Sequence, residues 1–341
     1  MDKNKKSRIY LIVLMIAIFA VYTYRQNLPR QVHVTGTTMG TIAYNVKYID
    51  KQERQFKPQI DSLLKDFNQS LSTYIPNSDV SVFNKTGKVT FNFPYFYDVL
   101  EASKVIYEST QGAFDPTVGP LIDAWGFGEG EMIGPDSTQV DSLLQYVGFD
   151  KIDFTNTKAE TTIPSMKLSF SAIAKGQAID VVADWLAEQD IANYMVEIGG
   201  EVRAKGENLE GETWTIGIEQ PNEQRIGGLF DAIQLQDQGM ATSGNYRNFR
   251  IVNGKKVAHT IDPVTGYPKM QTLLSATILA PNCMLADGYA TACMVMGLEG
   301  SKNLVETHPE LEGYFIYADE NGEMVTYIST GLKGKTLKDA K

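Results

Sequence analysis

From residue 32 to residue 328 the sequence changes its hydrophobic period again and again, without a regular rhythm. Strand-like runs fall at Val32 to Val34, Thr41 to Ile49, Met166 to Ile173, Met195 to Ile198, Thr213 to Glu219, Phe230 to Leu235 and Leu273 to Leu279. Two more, Tyr314 to Tyr317 and Met324 to Ile328, flank Asn321-Gly322 and read as a hairpin. Helical spacing appears at Pro58 to Ser70, with Ile60, Leu63, Leu64, Phe67 and Leu71 on one face. It recurs from Pro94 to Gln111 before Gly112, at Val140 to Val147 before Gly148, and at Gln177 to Gln189. A last helix is predicted after Pro281, with Asn282 as N-cap and Gly297 as stop. A repeating strand–helix–strand order would specify a parallel sheet. This irregular order predicts an α+β fold, with mixed strands and helices in one large body over 32–332.

The ends of the chain differ from that body. Lys3, Lys5, Lys6 and Arg8 form a basic flank over 1–8, ahead of an uncharged apolar run from Ile9 to Tyr24. Sixteen residues is marginal against the roughly 17–25 that span a bilayer. Without an A-x-A cleavage pattern or a nearby Cys, the run reads as an uncleaved transmembrane or signal-anchor helix, followed by a linker over 25–31. The positive flank places the N-terminus inside and the body on the periplasmic or extracytoplasmic side of an inner membrane. A basic tail over 333–341 is expected to fray.

Net charge is −10, and no basic block lies beyond the N-terminus, which argues against nucleic-acid binding. The only cysteines are Cys283 and Cys293. On one helix they would stand about 15 Å apart, too far for a disulfide.

Chemistry-bearing residues concentrate in a few short stretches. In A-H-T-I-D-P-V-T-G-Y-P, Ala258 to Pro268, a hairpin signal at Asn253-Gly254 puts His259 at a strand end, and Asp262-Pro263 with Thr265-Gly266 forces a turn. A histidine so held can be aimed at a substrate; it can equally be a strand-end side chain beside an ordinary turn. Lys175-Gly176, at a strand-to-helix turn, suggests phosphate contact by N–H groups and an ammonium, without the spacing of a P-loop or dinucleotide fingerprint. Asp287 and Thr291 stand at i and i+4 in A-D-G-Y-A-T, hence on one helix face. Their hard oxygens suit Mg²⁺; the alternative is a hydrogen-bonded pair on an exposed face. Gly288 between them hints at close packing. Tyr74 can stack on an aromatic ligand or pack on the body, and Gly199-Gly200 can relieve a bend or admit a ligand. The threonine-rich T-G-T-T-M-G-T, Thr35 to Thr41, reads as a tight connection between two strands.

Taken together, these stretches resemble the ApbE-type FAD:protein FMN transferases. The matching segments, in order, are G-T-T-M-G-T, L-S-T-Y, G-A-F-D-P-T-V-G-P-L with W-G-F-G, A-I-A-K-G, E-I-G-G, T-S-G-N-Y, H-T-I-D-P-V-T-G-Y-P and A-D-G-Y-A-T. The resemblance implies FAD as substrate, Mg²⁺ at its diphosphate, and transfer of FMN to a Thr or Ser hydroxyl of a partner protein with release of AMP. It assigns the metal to the Ala174 carbonyl, Asp287 and Thr291. Flavin and adenosine contacts fall to Met39, Tyr74, Ala113, Phe114, Asp115, Ser171, Gln177 and Ile261. His259 matches the functionally important histidine and is the expected base, with Lys175 adding positive charge. Ser169 stands where members often carry Asp, and Gln177 where Tyr is common. The chain lacks a D-x-x-S/T-G-A/S-S/T acceptor stretch, so the acceptor is expected to be another protein, a membrane redox subunit facing the same side. The same site would serve a Mg²⁺-dependent FAD pyrophosphatase, and a non-catalytic FAD-binding protein is the alternative from another class.

Overall fold

The computed structural model describes residues 3–26, 28–128, 134–221, 228–245, 249–252, 255–269 and 271–338. In chain order these form α1 (Lys3–Gln26), β1 (Gln31–Thr38), β2 (Ile42–Ile49), α2 (Lys57–Leu71), α3 (Asp79–Thr86), β3 (Lys88–Thr90), α4 (Tyr95–Ser109), α5 (Gly119–Ala124), α6 (Ser137–Leu144), β4 (Asp153–Phe154), β5 (Lys158–Glu160) and α7 (Ala174–Glu188). The second half adds β6 (Tyr194–Ile198), β7 (Glu201–Lys205), β8 (Trp214–Glu219), β9 (Leu229–Leu235), β10 (Gln238–Gly244), β11 (Phe249–Val252), β12 (Lys255–Ala258), β13 (Leu273–Ala280), α8 (Cys283–Thr307), β14 (Glu312–Ala318) and β15 (Met324–Ile328).

Eight strands make one sheet in the order β1-β2-β6-β7-β10-β13-β14-β15, and every neighbouring pair runs antiparallel. Alternation along each strand feeds two cores. Val196, Ala241, Ile278 and Phe315 face the helices and join Ile60, Phe96, Ile179 and Ala290 in the larger core. Val202, Met240, Leu279 and Tyr314 point the other way and pack beneath the β8–β9 hairpin through Trp214, Ile218 and Leu235. The expected α+β class is the observed one, in three layers: helices, sheet, hairpin.

Several expectations need correction. Met166 to Ile173 is not a strand. Its alternation is real, with Met166, Leu168 and Phe170 buried, but no neighbouring strand takes up its backbone. Asn84 of α3 and one short bridge do so instead: Asn84 Oδ1 accepts from Leu168 N at 2.7 Å and its Nδ2 donates to Leu168 O at 2.9 Å, while Ser169 N donates to Pro116 O at 2.8 Å beside an isolated Val118–Lys167 bridge. The following helix starts three residues early, at Ala174, so Lys175 and Gly176 lie inside its first turn. Across G-A-F-D-P-T-V-G-P-L and W-G-F-G, two segments whose density of Gly and Pro reads as turns, Gly119–Ala124 is helical. Of Thr35 to Thr41 only the end is a connection; β1 runs through Thr38, and Met39 and Gly40 turn the chain at φ 48° and 86°.

Gly199 and Gly200 form the two-residue turn between β6 and β7, with φ 63° and 109°, the left-handed pair that a tight hairpin demands. Gly297, at φ 78° and ψ 179°, stops the first arm of α8 as expected, and a second helical arm follows directly and runs to Thr307. A Cβ on Gly288 would run into Ile106 of α4, the close packing its presence suggested. Cys283 and Cys293 are both free and buried. The basic tail is docked as far as Lys338. Leu337 N donates to Ala232 O at 2.9 Å, Lys338 N to Asp231 Oδ1 at 3.1 Å, and Thr336 is buried.

The apolar run 9–24 lies within α1, whose large apolar side chains are exposed. Among the described residues no helix is long and apolar enough to cross a membrane.

Candidate active site

The helix layer and one end of the sheet enclose a cavity of about 770 Å³. Its position follows from how α8 begins. Asn282 Oδ1 caps the helix by accepting from Leu285 N at 2.9 Å. Asp180, one helix away in α7, accepts from Cys283 N at 2.9 Å and from Met284 N at 2.8 Å. Three N–H groups of the first turn are thus satisfied by carboxylate or amide oxygens, as a buried helix start requires. Arg203 of β7 balances Asp180 at 3.0 Å. Burial nevertheless pushes Asp180 up to about 6, against the pull of Arg203 and the two N–H groups.

This clamp aims the next turn of α8 into the cavity. Asp287 and Thr291 both line it, as the shared helix face predicts. Asp287 is only 4 % exposed, so the pair is not the exposed-face alternative. Its Oδ2 accepts from Gly176 N at 3.0 Å. The Thr291 hydroxyl meets the Ser243 hydroxyl of β10 at 3.2 Å. Burial raises Asp287 above the usual carboxylate range, offset in part by Lys175 and the Gly176 N–H.

Lys175 lines the same wall, but its ammonium is already engaged: Nζ stands 2.5 Å from Glu201 Oε1. Burial alone would lower this ammonium; Glu201 and Asp287 hold it above its ordinary value. Glu201 is pushed up to about 7 by burial, with Lys175 pulling it down and Asp287 adding to the rise. The expected phosphate-facing cation is therefore the centre of a carboxylate–ammonium–carboxylate group. Glu201 was not singled out from the sequence. The available signal was indirect: a lysine placed inside a helix start needs a counter-charge, and Glu201 directly follows the Gly-Gly turn.

The opposite wall is the 259–268 segment. β12 ends at Ala258, so His259 does sit at a strand end; β11 and β12 pair antiparallel as expected, although Asn253-Gly254 lie outside the described residues. Asp262 builds the turn. Its Oδ1 accepts from Val264 N at 2.9 Å and Thr265 N at 3.3 Å, and its backbone N donates to Tyr267 O at 2.9 Å. Lys269 pairs with Asp262 Oδ2 at 3.2 Å, and Trp125 Nε1 donates to Gly266 O at 2.9 Å. The loop is fixed at several points, and His259 and Ile261 line the cavity from it. The Phe127 ring stands edge-on to His259, with centroids 6.4 Å apart.

Ala113, Phe114, Asp115 and Ser171 complete the predicted residues that line this space. The Asp115 carboxylate is spent on structure. Oδ1 accepts from Thr117 N at 2.7 Å and Thr117 Oγ1 at 2.6 Å, and Oδ2 from Phe149 N at 3.2 Å. Burial pushes it up to about 6 in spite of those bonds. Four predicted residues lie elsewhere. Met39 sits in the β1–β2 turn and packs on the core. Tyr74 is 78 % exposed and lines an adjoining cleft of about 460 Å³, which shares Ile122 and Ser169 with the main cavity. Gln177 is buried, its Nε2 donating to Tyr95 O at 2.8 Å. Ala174 precedes Lys175 without lining the space.

Comparison with known proteins places the chain in a family. The ApbE family model matches residues 37–315. A FAD:protein FMN transferase of Haemophilus influenzae is 37% identical over 340 residues, 95% of this chain and 97% of that protein. One from Vibrio cholerae is 39% identical over 291 residues, 82% and 85% of the two chains. The solved structure of the flavin transferase ApbE from Vibrio cholerae superposes with a TM-score of 0.79 at 36% identity, covering 89% of this chain and 99% of that one. The Pseudomonas stutzeri flavinyl transferase ApbE does so with a TM-score of 0.79 at 29% identity, covering 90% and 97%. The chain belongs to the ApbE family.

Proposed function

We propose that this protein transfers FMN from FAD to a Thr or Ser hydroxyl of a partner protein, releasing AMP. The observation that carries the reading is convergence: His259, from a loop braced by Asp262, and the Asp287–Thr291 pair of α8 line one cavity. The relatives named above carry the activity in their names.

Mg²⁺ is the metal the family resemblance implies, and the residues present fit it. Among the described residues no three His, Cys, Asp or Glu side chains cluster as a metal site. The donors that line the cavity are instead one buried carboxylate, Asp287, and one hydroxyl, Thr291; the resemblance adds the carbonyl of Ala174, at the start of α7 beside Lys175 but outside that lining. Hard oxygens in that small number suit an ion that keeps waters and takes phosphate oxygens. When bound, it would offset the charge that builds on the diphosphate oxygens.

The chain's own residues have separate tasks. His259 takes the proton from the acceptor hydroxyl at a ring nitrogen, since imidazole titrates in the working range. The acceptor oxygen forms a bond to the FMN phosphorus as the bridging P–O bond breaks, and AMP leaves. Asp287 serves as ligand rather than base, because a metal-bound carboxylate is a poor proton acceptor. Lys175 and Glu201 keep that wall near electrical balance, so a dianionic ligand does not meet two bare carboxylates.

We further propose that the apolar run 9–24 anchors the protein in the inner membrane with the body outside, facing a membrane redox subunit as acceptor. Co-expression with candidate acceptors, followed by mass spectrometry of the intact proteins, tests the activity. An FMN adduct on a Thr or Ser is expected. Free FMN plus AMP from FAD alone, at the same rate with or without acceptor, would instead mark a pyrophosphatase, and FAD left intact for hours with Mg²⁺ a binding protein. Protease access to the body in spheroplasts tests the topology.

A further inference from the structure

Glu201 is the first residue of β7, directly after the Gly199-Gly200 turn. Val202 and Ala204 belong to the core on the hairpin side, so Glu201 points toward the helices. There it is 4 % exposed and lines the cavity beside Lys175 and Asp287. Oε1 is held by Lys175 Nζ at 2.5 Å, which fixes the plane of the carboxylate. Oε2 is buried and has no hydrogen-bond partner among the described residues. A buried acceptor left unpaired is destabilising, more so when charged. Such an atom on the wall of a functional cavity marks a place kept for a donor.

We propose that Glu201 Oε2 accepts a hydrogen bond from a sugar-chain hydroxyl of the bound dinucleotide, on either its ribityl or its ribose side. This rests on the FAD reading above. In its ionised form, which the Lys175 ammonium favours, the group can only accept, and in that form its partner is not a phosphate oxygen, a flavin carbonyl or an unprotonated ring nitrogen. Lys175 interacts with both Glu201 and Asp287, so the free oxygen lies next to the pole where the diphosphate would be held. The donors of FAD within a few bonds of the diphosphate are sugar hydroxyls; the adenine amine and the flavin N–H sit at the far ends. The paired ammonium also offsets one of the two carboxylate charges that would otherwise repel phosphate at this wall.

The test is FAD affinity, read by flavin fluorescence with Mg²⁺ present, with FMN and ADP as probes of the two halves. Glu201→Gln keeps the shape and still offers an oxygen to Lys175, but turns an NH₂ toward the ligand hydroxyl. It should bind FAD about ten- to a hundred-fold more weakly than the unaltered protein. A matching loss for FMN but not ADP supports the ribityl source; the reverse supports the ribose. Thermal melting checks that the variant folds, and Glu201→Asp, which withdraws both oxygens and keeps the charge, carries the same comparison if it does not. Unchanged FAD affinity overturns the assignment, whether or not transfer falls, and so does an equal loss for both halves. If the unaltered protein does not bind FAD, the reading of the cavity fails first and this assignment with it.

Discussion

The backbone N–H of Gly176 donates to Oδ2 of Asp287 at 3.0 Å, joining two residues 111 positions apart. α7 has no side-chain cap of its own, so Asp287 serves as the cap of a neighbouring helix as well as lining the cavity. The contact needs glycine. A Cβ at 176 would overlap the carbonyl of Cys283 in the first turn of α8. Gly176→Ala should therefore part the two helix starts, at a cost of about 1–3 kcal/mol for overpacking. The midpoint of chemical denaturation should fall, and Mg²⁺-dependent FAD binding should weaken with it. If both hold at their original values, the two helices are not locked through this residue.

Asp287→Ala removes the single carboxylate of the proposed metal set. AMP release in the presence of FAD, acceptor and Mg²⁺ should drop by on the order of 10²-fold or more, the scale of losing a charge-stabilising group at a reaction centre. FAD affinity measured without Mg²⁺ should change far less. Equal losses with and without the ion would mean that Asp287 acts through its bond to Gly176 and not through a metal.

The sequence carried more of this than its local signals suggest, and the misses share a cause. Helical spacing located α2, α4, α6 and the first arm of α8 to within a few residues because each buries apolar side chains, α2, α4 and α8 in the larger core and α6 through Val140 in a small cluster with Leu121 and Ile261. β7 and β10 went unread. In β7, Glu201 is buried and Arg203 half-buried on the helix side, held by ion pairs with Lys175 and Asp180, so polar residues stand where alternation should show apolar ones. Met166 to Ile173 failed in the opposite way: the alternation is present, but its backbone meets the Asn84 side chain and a single short bridge at Pro116 and Val118 rather than a strand, which no periodicity records. His259, Asp287 and Thr291 were legible because turn chemistry and helix spacing are local. Glu201 was not, since its role exists only once α7 is laid across β7.

Asp115 gives the fold a measurable pH dependence. Its folded value, pushed up to about 6 by burial, lies above the ordinary 3.8. A carboxyl raised on folding binds its proton more tightly in the native state. Its contribution to stability is thus fully present below about pH 4 and is lost as the pH rises through about 6. That difference corresponds to something on the order of 3 kcal/mol. Asp115→Asn removes the titration. Denaturation midpoints of the two proteins, compared between about pH 4 and pH 7, should differ in slope over that window, with the unaltered protein losing ground as pH rises. Parallel curves would show that the Thr117 and Phe149 bonds stabilise the ionised form enough to cancel burial.

His259→Ala separates binding from chemistry. The imidazole is the proposed proton acceptor, and the loop that carries it is braced without it, by Asp262, Lys269 and Trp125. Removing the ring should leave that loop and the α8 wall in place. FAD affinity should stay within a few-fold of the original, while transfer to the acceptor falls about 10²–10⁴-fold, the usual contribution of a positioned general base. Free imidazole offers a control that a purely structural role would not answer: a small base diffusing into the emptied space should restore part of the rate, more as the pH rises past its own pKa. A variant that flavinylates its acceptor at full rate, or one that loses FAD binding to the same degree as transfer, would take the proton-accepting role away from His259.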